Sequence, residues 1–311
     1  MEKLVIGACS NIDTVKIGQK VSKKFLNGAA IYSGYAAATK VPTRVITCVG
    51  EEEENDGIIQ AAREYREDNV PQLDVIKIKG GKSFRQSFEQ IQNSFEVIDK
   101  DFGNYNDWNP DVPKFKTDTL LLGTGNPIFQ RAVLNSCEEA NKIILDSKLI
   151  HLQVRFEKVE DLLKQVDTFL GTQEEIEQLL TKGGLPTNQI SSLFQKYPNL
   201  TTIIEKKAAK GGRVFLQNGT FYTYEPGSPS REICSDGAGD VFAGMYSAEI
   251  ANGKSVKEAV QSAAKLSAES VKHFGMNKVK INNYENIGII LDESRWKEID
   301  GRDEQNPDRS Y

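Results

Sequence analysis

The sequence predicts an α/β fold, a central and mostly parallel sheet with helices on both faces. Two observations carry this: short apolar or β-branched runs recur along the chain, and segments with apolar residues at helical spacing lie between them. Leu4–Ala8 reads as the first buried strand. Further strands are expected at Arg44–Val49, Thr119–Leu122, Lys142–Leu145, Thr168–Leu170, Thr201–Ile204 and Val214–Leu216. Helices are expected at Asn55–Glu67, Pro127–Ala140, Lys158–Val166, Glu174–Thr181 and Asn188–Gln195. The clearest helix comes late, where Ser255 and Glu258 form a capping box ahead of a face running from Val256 through Ala263, Ala264 and Ala268 to Val271, with Gly275 as its stop. So many small residues on one face mean close packing, with a ligand contact at one or two of them left open. Residues 73–104 break the alternation. There a Gly80-Gly81 turn precedes Phe84, Phe88, Ile91, Phe95 and Ile98 in a polar background, a pattern that suits either an amphipathic helix or an antiparallel flap outside the main sheet.

Composition narrows the function. A chain of 311 residues with 39% hydrophobic content can bury a sizeable core, and a single domain over about residues 1–300 is expected, with a charged, poorly ordered tail at 301–311. A net charge of -5 supplies no general basic field, so nucleic acid is not expected as a partner. Four cysteines without CxxC pairing and only two histidines suggest neither a zinc cluster nor a disulfide framework, which fits a reducing cytoplasm. The apolar run at the N-terminus is too short for a signal-peptide core or a membrane span.

The chemistry concentrates at Ser235-Asp236-Gly237-Ala238-Gly239-Asp240, which runs directly into the helical stretch Val241–Tyr246. Glycines at 237 and 239 let backbone N–H groups point outward together, and a helix start adds unpaired N–H groups and a positive dipole end, so the segment can cradle an anion. Asp240, at the beginning of that helix, is placed to take a proton from a substrate hydroxyl while neighbouring amides stabilise a phosphoryl group in transfer. Neither common phosphate loop is present: no Gly-x-x-x-x-Gly-Lys-Ser/Thr loop occurs, and Gly123-Thr124-Gly125 has Ile128 where a third glycine would stand.

Residues 234–244 resemble the C-terminal signature of ribokinase-like (PfkB) carbohydrate and nucleoside kinases, usually Asp-Thr-x-Gly-Ala-Gly-Asp followed by a helix with Phe and Gly. The resemblance implies Asp240 as catalytic base and Gly237, Ala238 and Gly239 as the anion hole facing the transferred phosphate. Asn27–Ala38 resembles the family's glycine-pair segment opening an Ala-rich helix, and Ser10–Asp13 falls where the family places a polar loop whose Asp holds substrate hydroxyls. Asn11, Asp13, Asn27, Gly28 and Tyr32 are thereby implied in substrate binding. Gly171–Glu177 resembles the family's Asn-x-x-Glu element, implying Glu175 as a carboxylate that helps arrange Mg²⁺ indirectly, though a solvated acidic helix start reads equally well. The same resemblance implies a water-excluding β lid from about residues 11–25 and 73–104, with Lys82 and Arg85 either near a polar substrate or solvated at the surface. Exposed lid strands invite pairing, so a homodimer through the lid is expected. Lys206, Gly237, Gly239 and Ala264 fall to the nucleotide side.

The sequence also departs from that pattern. Cys234 and Ser235 replace Asp and Thr, which removes a residue tied to monovalent-cation activation; Thr172 replaces the Asn of the metal-associated element; and 204–209 remodels a turn that faces the nucleotide. The implied activity is transfer of the γ-phosphate of ATP, with Mg²⁺, to a hydroxyl of a small sugar or polyol. A nucleoside is the alternative acceptor, with Phe84, Phe88 or Tyr32 stacking on a base; a catalytically weak ligand-binding protein on the kinase fold is the other reading.

Overall fold

The first strand explains the layering. In β1 (Glu2–Gly7), Leu4 and Ile6 face one layer of helices and Val5 faces the other, and all three are fully buried, as an interior parallel strand requires. The computed structural model describes residues 1–17, 20–52, 54–64, 70–91, 94–101, 103, 110–187, 189–225 and 233–273. After β1 come β2 (Asn11–Ile17), β3 (Lys20–Asn27), α1 (Ala29–Ala38), β4 (Thr43–Gly50) and α2 (Glu54–Glu64). Then follow β5 (Gln72–Ile78), β6 (Phe84–Ile91), β7 (Ser94–Asp101), β8 (Phe115–Leu122) and α3 (Pro127–Ser136). The middle of the chain holds β9 (Cys137–Asp146), α4 (Leu149–Val154), α5 (Phe156–Leu163), β10 (Thr168–Thr172), α6 (Gln173–Lys182) and α7 (Ser191–Lys196). It closes with β11 (Thr202–Lys206), β12 (Gly212–Leu216), β13 (Phe221–Tyr224), α8 (Ala238–Ala251) and α9 (Val256–Ser270).

The main sheet runs β13-β12-β11-β10-β9-β8-β1-β4-β5 and is parallel from β11 to β5, with β12 and β13 added antiparallel at one edge. One face packs on α1, α8 and α9 through Ala30, Ala37, Val241, Phe242, Ala259 and Ala263. The opposite face packs on α3 to α7 through Phe129, Leu152, Val159, Ile176, Leu179 and Leu193. The fold class expected from the sequence is therefore the one observed. From β1 the chain steps outward through β4 to β5, then returns to the other side of β1 with β8. That reversal between β1 and β8 is where open α/β sheets place ligands, beyond the strands' C-terminal ends.

Several boundaries differ from the sequence reading. The expected helix Pro127–Ala140 stops at Ser136, because residues from Cys137 onward pair with β8, with Cys137 opposite Phe115. Residues 73–78, expected in the lid, belong instead to β5, an edge strand of the main sheet registered on β4 from Arg44↔Gln72 to Gly50↔Ile78. The second sheet therefore comprises β3-β2-β6-β7, from residues 11–27 and 84–101, and the segment around Phe84 to Ile98 is a flap and not a helix. Helix α4 and strand β13 were not anticipated. Parts of the expected spans at 65–67, 104, 188 and 275, and the tail 301–311, lie outside the described residues.

The second sheet has its own small core of Val15, Phe25, Phe88, Phe95 and Cys234, with Phe88 completely buried. It joins the body through Phe95 N–H, which donates to Ile233 O at 3.1 Å, immediately before the Ser235–Asp240 loop. Phe88→Ala should cost about 3–5 kcal/mol, concentrated in this sheet because few other buried side chains support it. Hydrogen exchange should show faster exchange across residues 84–101 with β1, β8 and β9 still protected; equal loss in all strands would mean that the sheet is not a separate unit.

Candidate active site

Strands β1, β8, β9, β10 and β11 all end at one edge, and that edge collects the charged groups. Gly237 caps α8 with φ +80, a left-handed conformation that suits glycine. A Cβ there would lie 2.2 Å from the Tyr32 ring, so the loop also needs glycine for space. Ala238 N–H is taken up by Ser235 O at 3.1 Å, so the outward amides of this turn belong to Gly237, Gly239 and Asp240 rather than to Ala238.

Asp240 lies in the first turn of α8 and accepts a hydrogen bond from the Thr124 hydroxyl. Burial pushes its pKa above the usual carboxylate range, with Asp236 adding to the rise and Lys148 and Lys206 opposing it. Lys206, at the end of β11, pairs with Asp146 at 2.8 Å, and a methyl group placed on Gly239 would lie 3.7 Å from its Nζ. Burial works against the Lys206 charge, but Asp146, Glu175 and Asp240 outweigh it and hold the pKa above the ordinary lysine value. Burial pushes Asp146 up to about 7 despite Lys206. Asp146, Thr124 and Lys148 were not singled out in the sequence. The signal available for Asp146 was an acidic residue closing an interior parallel strand.

Glu175 forms a capping box at α6: Oε2 accepts from Thr172 N–H at 2.7 Å and Oε1 from Leu149 N–H at 3.1 Å. Both its oxygens thus hold backbone, and its charge reaches Lys206 and Asp146 electrostatically. Lys207 instead pairs with Glu205.

On the other side of Gly237, β2 and the β3–α1 junction assemble a buried polar cluster. Asp13 and Asn27 are both 0% exposed, and Asn11, Gln86 and Tyr32 are buried beside them. Both Asp13 oxygens are held, one by the Asn11 amide and one by Asn27 Nδ2 at 2.5 Å, and Asn27 Nδ2 also reaches Tyr32 Oη at 2.6 Å. Among the described residues Asn27 Oδ1, which is buried, has no hydrogen-bond partner. Desolvation drives the pKa of Asp13 well up. Gly28, at φ +93, lets Asn11 Oδ1 approach a place that any Cβ would fill. Arg85 pairs with Glu52 at 3.1 Å, and Phe88 is committed to the core of the second sheet.

Ala264, expected on the nucleotide side, lines a cavity of about 400 Å³ between β13 and α9, with Tyr222, Tyr224, Lys257 and Gln261 among its walls. One helical turn further along α9, Ser267 donates to Ala238 O at 2.8 Å, which ties this cavity to the Gly237 loop.

The profile of the pfkB family carbohydrate kinases matches residues 117–282, more than half of the chain. The chain belongs to the pfkB family. No curated protein matches the sequence. Among solved structures, it is similar to Arabidopsis thaliana ribokinase complexed with ribose and ATP, at 18% identity and TM-score 0.68, covering 89% of this chain and 95% of that one. It is likewise similar to Methanocaldococcus jannaschii nucleoside kinase, at 14% identity and TM-score 0.67 over 88% and 93% of the two chains. Anopheles gambiae adenosine kinase gives 11% identity and TM-score 0.67 over 89% and 98%. Identities this low speak for the fold alone. The matched pfkB region contains Asp146, Glu175, Lys206 and the Gly237–Asp240 loop, while the Asp13 cluster lies ahead of it.

Proposed function

We propose that this pfkB family member transfers the γ-phosphate of ATP to a hydroxyl of a small sugar or polyol. The carrying observation is the arrangement around Gly237: an amide-lined helix start with Asp240 and Lys206 on one side and the buried Asp13 cluster on the other. Asp240 takes the acceptor's proton; Gly237 and Gly239 amides with the Lys206 ammonium receive the charge on the transferring phosphoryl group. The cavity at Ala264 takes the base of the nucleotide, joined to the loop through Ser267. Asp13, Asn11 and Asn27 hold acceptor hydroxyls, and the unpartnered Asn27 Oδ1 supplies an acceptor atom for one of them.

Among the described residues no group of three or more acidic, histidine or cysteine side chains is arranged around a metal position, and the Lys206 ammonium already stands among Asp146, Glu175 and Asp240. This fits magnesium carried mainly by nucleotide phosphates, as that ion prefers, with Asp146 and Glu175 adding negative potential. Mg²⁺ supplies charge neutralisation of the β- and γ-phosphates when bound. The second sheet serves as the lid that keeps water from Asp240, and its edge strand β7 carries exposed Ile98, a surface suited to a lid-paired homodimer. Among the described residues no helix is long and apolar enough to cross a membrane.

The polyol reading is favoured over a nucleoside because Phe88, one of the aromatic side chains available for stacking, is committed to the core of the second sheet. A coupled ADP-release assay with ATP and Mg²⁺ over pentoses, hexoses, smaller polyols and nucleosides should give turnover with a sugar or polyol. Turnover with nucleosides alone would transfer the assignment to that class, and tight ATP binding without turnover on any acceptor would favour a ligand-binding role.

A further inference from the structure

Cys9 follows β1 and Cys48 lies on the neighbouring β4, each two residues beyond the paired positions Gly7 and Ile46. Their sulfurs are 3.9 Å apart. Adjacent strands run about 4.7–4.9 Å apart, inside the range of Cα separations that a disulfide spans. Cys48 is buried and Cys9 is partly exposed, so an oxidant reaches Cys9 first. Cys9 also sits at the start of α3: its sulfur receives the Asn126 N–H, and a Cβ on Gly125 would lie 2.8 Å from it, so the 123–126 loop is shaped around that sulfur. The hydrogen bond from Cys48, aided by the Asn126 amide, lowers the Cys9 pKa against the effect of burial, while the Cys48 pKa is driven up by its bond to Cys9 and by burial. Cys9 thus gives up its proton more readily than Cys48 does.

We propose that Cys9 and Cys48 are a redox modification site, a dithiol across neighbouring strands that a hydroperoxide closes into a disulfide. The Cys9 thiolate attacks the terminal peroxide oxygen, the O–O bond breaks, and the alkoxide or hydroxide leaves with a proton from solvent. The Cys48 sulfur then attacks the Cys9 sulfenic acid; the S–S bond forms, the S–O bond breaks, and the departing hydroxide takes the Cys48 proton as water. Two electrons pass from the thiols to the peroxide. Closing the sulfurs to about 2.05 Å draws Cys9 away from Asn126 and shifts the loop. Thr124, whose carbonyl accepts from Cys9 N–H at 3.3 Å and whose hydroxyl holds Asp240, moves with it. On the reading of Asp240 as base, oxidation therefore slows phosphoryl transfer.

The test treats the reduced full-length chain with one equivalent of hydrogen peroxide, then counts free thiols after denaturation and maps them by peptide mass. Free thiols should fall from four to two, with the Cys9 and Cys48 peptides linked and released again by dithiothreitol. Cys9→Ser should keep its remaining thiols, and Cys48→Ser should leave a Cys9 sulfenic acid that dimedone traps. Four surviving thiols, or loss that falls equally on Cys137 and Cys234, would overturn the proposal whether or not the chain is a kinase. A disulfide that forms without changing the ADP-release rate would overturn the link to Asp240.

Discussion

Asp240→Asn should lower kcat by about 10²–10⁴-fold while leaving ATP binding intact, the loss expected when a positioned general base is removed. Asparagine keeps the size of the side chain and still accepts from Thr124, so the loop geometry survives and only the proton acceptor is lost. A carboxylate beside phosphates is repulsive, so the variant should bind ATP at least as tightly as the parent. ADP-release rates with titrated ATP separate the two effects: a rise in KM for ATP with kcat unchanged would mean that Asp240 binds nucleotide and is not the base.

The raised pKa of Asp240 also sets the direction of the pH effects. Its base form appears only at a higher pH than an ordinary aspartate needs, so kcat should rise with pH through that elevated value. For stability, the folded state holds the proton where the unfolded chain has already lost it. This contribution is full below the ordinary carboxylate value and is lost as pH rises through the folded one. Asp240→Asn removes that dependence, so the variant should be more heat-resistant than the parent at neutral pH.

The layered sheet was legible because interior parallel strands read as unbroken apolar runs, and all seven strands expected from the sequence fall in the main sheet. The Gly237 loop was legible because its demands are local: a left-handed residue, a helix start and one carboxylate lie within four positions. What stayed hidden depends on register. Gln72–Ile78 reads alike as lid or edge strand until its pairing with β4 is seen, and Cys137–Ala140 continues a helical pattern until β8 captures it. Asp146 and Thr124 are ordinary residues in sequence and acquire meaning only because β8, β9 and β11 end side by side. Cys9 and Cys48 are 39 positions apart and meet only through the β1–β4 pairing.

Lys206→Met should reduce kcat by about 10²–10³-fold, the loss typical of removing one preorganised donor from a developing negative charge. The expected stability effect is unusual, because it depends on Asp146. With Lys206 present, the Asp146 pKa is about 7 against an ordinary 3.8, so the folded state already loses stability as pH rises between those values. Without the ammonium, Asp146 faces Asp240 and Glu175 alone and its pKa rises further. The parent's decline ends near 7, whereas the variant's continues, so the gap between them should widen by about 1.4 kcal/mol per pH unit above that point. Below it, Asp146 is protonated in both proteins and the loss should be small. Thermal melts at pH 6 and pH 9 read this directly, and adding Asp146→Asn to Lys206→Met should shrink the widening to the part that Asp240, also relieved by Lys206, contributes. A constant gap across that range would place the cost in lost packing of the lysine stem. An unchanged kcat would remove Lys206 from the phosphate site altogether and leave the Gly237 and Gly239 amides to hold the transferring group.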